Sequence, residues 1–318
     1  MTKHLGFRLL QAAFVLLVMS LLVYGLMGLM PGDPIELMAA GSPTMTPEDV
    51  ARLKALYGVD QPLLERYGHW LISALSGDFG YSRLTARPVV ETLIGPLGNS
   101  AGLMAAALTL ALIFALPGGI WAALRQGRLP DHALNLAAFA AISLPVFWLG
   151  LLLVILFAVT LSWFPASGVE TVGGGGGLND RLWHMALPVL ALATASFGHY
   201  LRYMRAAMIS TLRENWVRTA RAKGLSWPQV VIRHSLRNAM MPVVTVLALD
   251  IGALFSGVLV TETVFAYPGM GKLIYDAVMG NDYNLALAAL LLATALTLLG
   301  SLLADILHSL LDPRVRLG

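Results

Sequence analysis

Six apolar stretches, each long enough to cross a bilayer as a helix of roughly 20 residues, leave this chain few ways to fold. They run from Leu9 to Met30, Ala101 to Leu124, Ala133 to Leu161, Met185 to Ala207, Pro242 to Phe265 and Leu285 to Leu307. Only 12% of the residues are charged and 57% are hydrophobic, whereas a soluble domain carries roughly a quarter charged residues. No period-two alternation marks a β-barrel, so the expected fold is all-α: a polytopic membrane protein with six transmembrane helices. The third stretch exceeds the bilayer thickness and calls for tilt or an overhang into the interface. Lys3 and Arg8 before the first stretch, and Ala39-Ala40-Gly41 after it, imitate a secretory signal. The apolar run is longer than the roughly 7–15 residues of a signal core, which reads as a retained helix. The chain has no cysteine, which excludes a disulfide, an Fe–S cluster and cysteine-ligated zinc.

Charge gives the sidedness. Grouping loops by side puts Lys3, Arg8, Arg125, Arg128, Arg202, Arg205, Arg213, Arg218, Arg221, Lys223, Arg233, Arg237, Arg314 and Arg316 together. The other side holds half as many cations (Arg52, Lys54, Arg66, Arg83, Arg87, Arg181, Lys272) and most of the acids, among them Asp33, Glu48, Asp60, Asp78, Glu91, Asp180 and Asp282. The positive-inside rule then makes both termini cytoplasmic. Inner-leaflet phosphates account for the basic excess, so membrane lipid is an expected partner and nucleic acid is not.

The outer segment between the first two stretches is too long for a simple connector. "TMTPEDVARLKALYGVDQP" opens with Thr46 as N-cap, Pro47 at N1 and Asp49 at N3, and closes at Gly58. A second amphipathic helix is expected from Pro62 to Leu75. The pair is either a hairpin resting on the membrane face or a docking surface or lid for something delivered from outside. "GGGGG" at Gly173–Gly177 lacks the following Gly-Lys-Ser/Thr of a phosphate loop and reads as a connector. No His-Glu-x-x-His, no Gly-x-Ser-x-Gly and no nucleotide site occurs, which excludes a recognisable intramembrane enzyme. No cofactor and no metal site is expected on this chain. Ionisable residues within spans earn a functional hypothesis by default. Asp250 and Glu262 are the candidates: each either makes a buried hydrogen bond to a neighbouring helix or lines a substrate pathway or gate. Asp305 sits near the inner mouth.

The one sizeable cytoplasmic loop, 206–241, concentrates cations around Gly224 in "WVRTARAKGLSWPQ". It reads as helix, break, helix. Gly224 suits a left-handed C-cap, and Ser226 with Gln229 suits a capping box opening the second helix. There Ile232, Leu236 and Met240 make one stripe, Arg233 and Arg237 the next. Small residues at Thr219, Ala220 and Ala222 would let the first helix enter a groove on another protein, with the flanking cations steering it towards an acidic surface. A positive-inside anchor touching lipid explains the charge but not that punctuation.

"RTARAKGLS" followed by "RHSLRNAMMPVVT" resembles the cytoplasmic loop of ABC importer permeases, specifically the dipeptide/oligopeptide/nickel permease family. So do "LMPGDP", "LSGDFGYS", "ISLPVFWLGLLL", "ETVFAYPGMGKLIYDAV" and "LDPRVR", in that order along nearly the whole chain. The resemblance implies the type I ABC importer transmembrane fold. Residues 1–100 would be the first helix and outer segment, 101–309 the five-helix core, and 310–318 a cytoplasmic tail. It implies an ATPase-coupling element at Arg218, Thr219, Ala220, Arg221, Ala222, Lys223, Gly224 and Leu225, with Arg218-Thr219-Ala220 at the Glu-Ala-Ala places of the general motif. Implied partners are a second similar permease, two ATPase subunits using ATP and Mg, and an extracytoplasmic binding protein, all at a bacterial inner membrane. The implied cargo is dipeptide or oligopeptide, with nickel or another small solute as the alternative. An ion-coupled secondary transporter is the reading from a different class; it needs acids near the midplane, where Asp250 lies.

Overall fold

The computed structural model describes residues 2–29, 46–49, 52, 61–173 and 176–311, with all side chains among them except those of 2–5, 248–257, 304 and 307–311. Gly58, the middle of the glycine run, the tail beyond 311 and the Asp250 side chain therefore lie outside the described residues. The described chain is helical, with no strand among the described residues. In order come α1 (Thr2–Gly28), α2 (Leu63–Leu75), α3 (Val89–Leu124), α4 (Leu129–Ser143) and α5 (Val146–Leu153), the last continued by a π-helical stretch, Val154–Thr160. Then follow α6 (Leu178–Leu212), α7 (Asn215–Ala222), α8 (Arg237–Gly257), α9 (Leu259–Val264), α10 (Met270–Met279) and α11 (Tyr283–Leu311). Helix α8 is entered through Trp227–Gln229 and a π-helical stretch, Val230–Leu236.

Proline sets several of the starts, because its fixed φ and missing N–H suit the entry to a helix. Pro62, Pro88 and Pro145 immediately precede α2, α3 and α5, and Pro130 sits in the first turn of α4. By themselves α1 over Gly6–Gly28, α3 over Val89–Leu124 and α11 over Tyr283–Leu303 are long and apolar enough to cross a membrane. The third stretch, expected as one tilted helix over Ala133–Leu161, is instead broken: α4 and the α5 segment meet at 97°. The cause is local. Pro145 forces Leu144 out of the helical region, to ψ 124°, as the residue before proline is generally forced. The fifth stretch is also divided, at Val258, between α8 and α9.

Helix α6 is the hub. It packs along α3, α4 and α8, and the approach is close because glycines face it or lie on it. A Cβ on Gly119 of α3 would lie 2.8 Å from the Leu201 carbonyl oxygen, and one on Gly198 would lie 2.6 Å from the Ala138 carbonyl oxygen. Small residues do this work in bilayers, where lipid is as apolar as any side chain and close packing supplies the attraction. Around these contacts Ala115, Ala138, Tyr200, Leu201, Met204 and Met208 are buried together.

Outside the core, α2 lies against α1. The Ser20 and Tyr67 hydroxyls are 2.7 Å apart, and Tyr24 packs edge-on to Tyr67 with centroids 5.6 Å apart. The capping pattern at Thr46 is present: its backbone N–H donates to Asp49 Oδ2 at 3.0 Å, and its hydroxyl accepts from the Asp49 N–H at 3.3 Å. The exposed face of α2 shows Leu64, Ile72 and Leu75, which favours the helix resting on the membrane. The loop before α3 is bolted to α11 by Asp282, which is buried and accepts from the Ser82 hydroxyl at 2.6 Å, from the Leu84 N–H at 3.0 Å and from the Leu285 N–H at 3.2 Å. The loop before α6 is tied in turn by Asp180, whose carboxyl is held below the usual range by the Thr171 N–H and hydroxyl.

Of the two readings open for Glu262, its contacts fit a buried hydrogen bond between helices: it is wholly enclosed between α3, α9 and α10. Its carboxylate accepts from the Ser100 hydroxyl and from the Lys272 N–H, and Ser100 accepts from the Met270 N–H. A buried carboxyl at the first turn of α10 meets N–H groups that have no partner within the helix. Gly269 is glycine for want of room, since a Cβ there would collide with that carboxylate. Replacing Glu262 by Ala should therefore cost about 1–3 kcal/mol for each donor left unsatisfied, and Gly269→Ala should destabilise in the same direction. The half-life of the monodisperse, detergent-solubilised protein on heating would show both losses, with Glu262→Gln falling less.

Candidate functional site

The loop at 206–241 forms a compact helix–turn–helix. Helix α7 ends in a Schellman motif: the Gly224 N–H donates to the Arg221 carbonyl at 2.9 Å and the Leu225 N–H to the Ala220 carbonyl at 3.4 Å. That closure needs a left-handed residue, and Gly224 has φ +84°, a conformation costly for a residue with a Cβ. Two residues on, the Ser226 N–H donates to Gln229 Oε1 at 3.0 Å, the capping box expected from the sequence. Val217, Ala220 and Val230 are buried between the two helices, with Trp216 and Leu225 half-covering them. The Arg221 guanidinium stacks 5.3 Å from the Trp227 ring and closes the hinge from outside.

The structure sorts the eight expected coupling residues into two sets. Arg218, Thr219, Arg221, Ala222, Lys223 and Gly224 are exposed, with Thr219 anchoring its hydroxyl on the Asn215 carbonyl at 3.2 Å. Ala220 is only 8% exposed and Leu225 is half-buried, so these two hold the element's interior. The small-residue patch therefore presents Thr219 and Ala222 outward while Ala220 faces in. A second adjustment concerns α8. Ile232 does not share an inward stripe with Leu236 and Met240; it is 66% exposed, and Val231, Ser235, Ala239 and Val243 face inward. The inward set keeps a four-residue spacing through the π-helical stretch Val230–Leu236 and into α8, one position before Ile232, Leu236 and Met240.

What fixes the end of α6, from which this element departs, was not visible in the sequence pattern. Asp131, at the first turn of α4 and 2% exposed, takes a fork from Arg205 of α6: Nε to Oδ1 at 2.5 Å and Nη2 to Oδ2 at 2.8 Å. Its remaining capacity is filled by the Gly127 N–H at 2.9 Å and the Asn135 amide at 2.8 Å. Bidentate, fully satisfied pairs are the strong kind. The residue is marked locally only by an acid following Pro130; its partner lies 74 positions away. Beside the pair, a cleft of about 570 Å³ opens between the α3–α4 turn and the α6–α7 corner, lined by Gln126, Arg205, Ala206, Ser210, Arg213 and Asn215. The loop helices lean on the same corner, where Val231 packs with Met204 and Met208.

Comparison with known proteins agrees with this architecture. The model of the binding-protein-dependent transport system inner membrane component matches residues 115–317, and that of its N-terminal part matches residues 1–97. The chain is 35% identical to the oligopeptide transport system permease protein AppB of Bacillus subtilis, over 99% of each chain. It is 37% identical to the di/tripeptide transport system permease protein DppB of Pseudomonas aeruginosa, over 93% of this chain and 94% of the relative. The glutathione transport system permease protein GsiC of Escherichia coli is 37% identical over 97% of each. With a family match over most of its length and relatives of this identity along nearly all of it, the chain belongs to the binding-protein-dependent transport system inner membrane components, as an ABC importer permease of the peptide-transport family.

Proposed function

We propose that this chain forms half of the path by which an ATP-driven importer carries short peptides across the inner membrane, and that the α7–Gly224–α8 element couples it to separate ATPase subunits. The observation that carries this is the outward display of Arg218, Thr219, Arg221, Ala222 and Lys223 on a helix whose inner side is locked by Val217, Ala220 and Val230. A displaced loose loop would dissipate motion. A helix pair closed by a Schellman turn, a capping box and a buried cluster transmits it. The load then passes to α6 through Val231, Met204 and Met208.

The finer assembly is part of the same proposal. A second permease of this family completes the path, two ATPase subunits bind and hydrolyse ATP with Mg, and an extracytoplasmic binding protein delivers cargo. Six crossings, with the α4–α5 pair as the third and α6 and the α8–α9 run as the fourth and fifth, leave both termini cytoplasmic. The cation distribution supports that orientation. Oligopeptide, di/tripeptide and glutathione in the names of the relatives favour peptide over nickel as cargo.

Three outcomes follow. Gly224→Val forces a β-branched residue to φ +84°, so in the complex reconstituted with its ATPases and binding protein, peptide uptake and binding-protein-stimulated ATP hydrolysis should fall together. Persistence of both would remove the coupling role. In intact cells, uptake should stop on ATP depletion and persist when the proton and sodium gradients are dissipated with ATP maintained; the reverse pattern belongs to an ion-coupled carrier. Single cysteines placed at either end of this cysteine-free chain should react with an impermeant thiol reagent in inside-out vesicles and not in right-side-out ones.

A further inference from the structure

Several spans expose large apolar side chains: Ile113 and Phe114 on α3, Leu299 and Leu303 on α11. Such positions suit lipid. The cytoplasmic half of α6 departs from this. His199, Arg202, Tyr203, Ala206 and Ser210 are exposed there, opposite the buried Tyr200, Leu201, Met204 and Met208. At 3.6 residues per turn the exposed set falls within a strip about 100° wide. Ionisable groups at membrane depth face protein or a water-filled cavity, not hydrocarbon. The strip is also bounded. Towards the outside the same face is closed over, with His184 and Pro188 buried, and towards the cytoplasm it runs into the cleft lined by Ala206, Ser210 and Arg213.

Its charge is uneven in a telling way. Arg205 is neutralised by Asp131, whereas Arg202 has no acid or hydrogen-bond acceptor among the described residues. Instead its guanidinium lies 4.4 Å from the centre of the Phe139 ring. Stacking occupies a face of the guanidinium and leaves its in-plane N–H fork free, the geometry that receives a carboxylate with two parallel hydrogen bonds. Met185 to Ala207 being the crossing segment, Arg202 lies about 8 Å in from its cytoplasmic end at 1.5 Å per residue.

We propose that this strip of α6 lines the inner half of the translocation path and that Arg202, braced on Phe139, receives the C-terminal carboxylate of the peptide in transit. The inference rests on the peptide-permease reading above and extends it to a residue and a substrate group. Charge complementarity selects the occupant: every free peptide ends in a carboxylate, and the strip offers a cation and no acid. His199, on the same face and about 60° from Arg202, widens the polar surface past which the peptide moves.

The test compares two mass-tagged libraries of di- and tripeptides, one of free acids and one of C-terminal amides, in the reconstituted complex with its ATPases and binding protein. The binding protein is the same in every arm, so its own preference cancels when the acid-to-amide uptake ratio of each variant is divided by that of the wild type. Arg202→Gln should lower that ratio about tenfold, and Arg202→Lys, which keeps the charge without the fork, should lower it less. Equal loss of acids and amides, or no loss of either, overturns the assignment. Ala206→Cys covers the case in which Arg202→Gln fails to assemble. In the complete complex that thiol should react with an impermeant reagent from the ATPase side and be protected by saturating free-acid peptides. An unreactive thiol means that lipid or the second permease covers the strip, and a thiol that amides protect as well as acids means that no carboxylate is read; either overturns the inference. A wild-type complex that imports neither library removes the peptide reading itself, and this inference with it.

Discussion

The fork between Arg205 and Asp131 holds the corner on which the α7–Gly224–α8 end of this permease depends. An arginine near the end of a membrane helix needs water or a partner, and Asp131, 2% exposed, needs a cation. Each meets the other's need, and the Gly127 N–H and the Asn135 amide fill what remains. The result pins the start of α4 to α6 at the cleft that Arg205 itself lines, two turns above the point where α6 gives way to α7. Under the proposed coupling, a force applied to α7 would act on a helix already fixed to α4.

The same logic repeats on the outer side with different chemistry. Glu262 is buried against the first turn of α10, and Asp282 against the first turn of α11; each joins segments more than a hundred residues apart, through Ser100 and Ser82 respectively. An apolar core alone would not fix how these helices sit, because within lipid one leucine surface is as good as another. Close contacts at Gly119 and Gly198 set the spacing, and a few buried, fully bonded carboxylates set the register. That division explains how a chain with so little charge still specifies one packing.

Much of the local structure was legible. The α7–Gly224–α8 element, its left-handed glycine, the Ser226–Gln229 box and the Thr46–Asp49 cap all follow from residue types at fixed short spacings, and each is present. What escaped depends on residues far apart or on departures from regular helix. Asp131 could not be matched with Arg205, nor Glu262 with Ser100, because no short-range pattern encodes a pairing across 74 or 162 positions. The bend before α5 was signalled by Pro145, but apolarity ran on past it and masked the break. The π-helical turn left no mark in the spacing, and which stripe faces inward, Val231 with Ser235 and Ala239 and not Ile232, is set by packing against α6.

Power and recognition are consequently kept apart along one helix. The element proposed to face the ATPase carries exposed cations on a frame locked by Val217, Ala220 and Val230. Selection by this chain has to come from polar groups that face the path, and on α6 those are confined to a strip between the closed outer face and the cleft. The strip lies on the helix against which Val231 packs through Met204 and Met208. Arg205 and Gly198 hold that helix to α4 on either side of Arg202, so under the proposed coupling α6 and α4 would move together and the contact of Arg202 with Phe139 would be kept through the stroke.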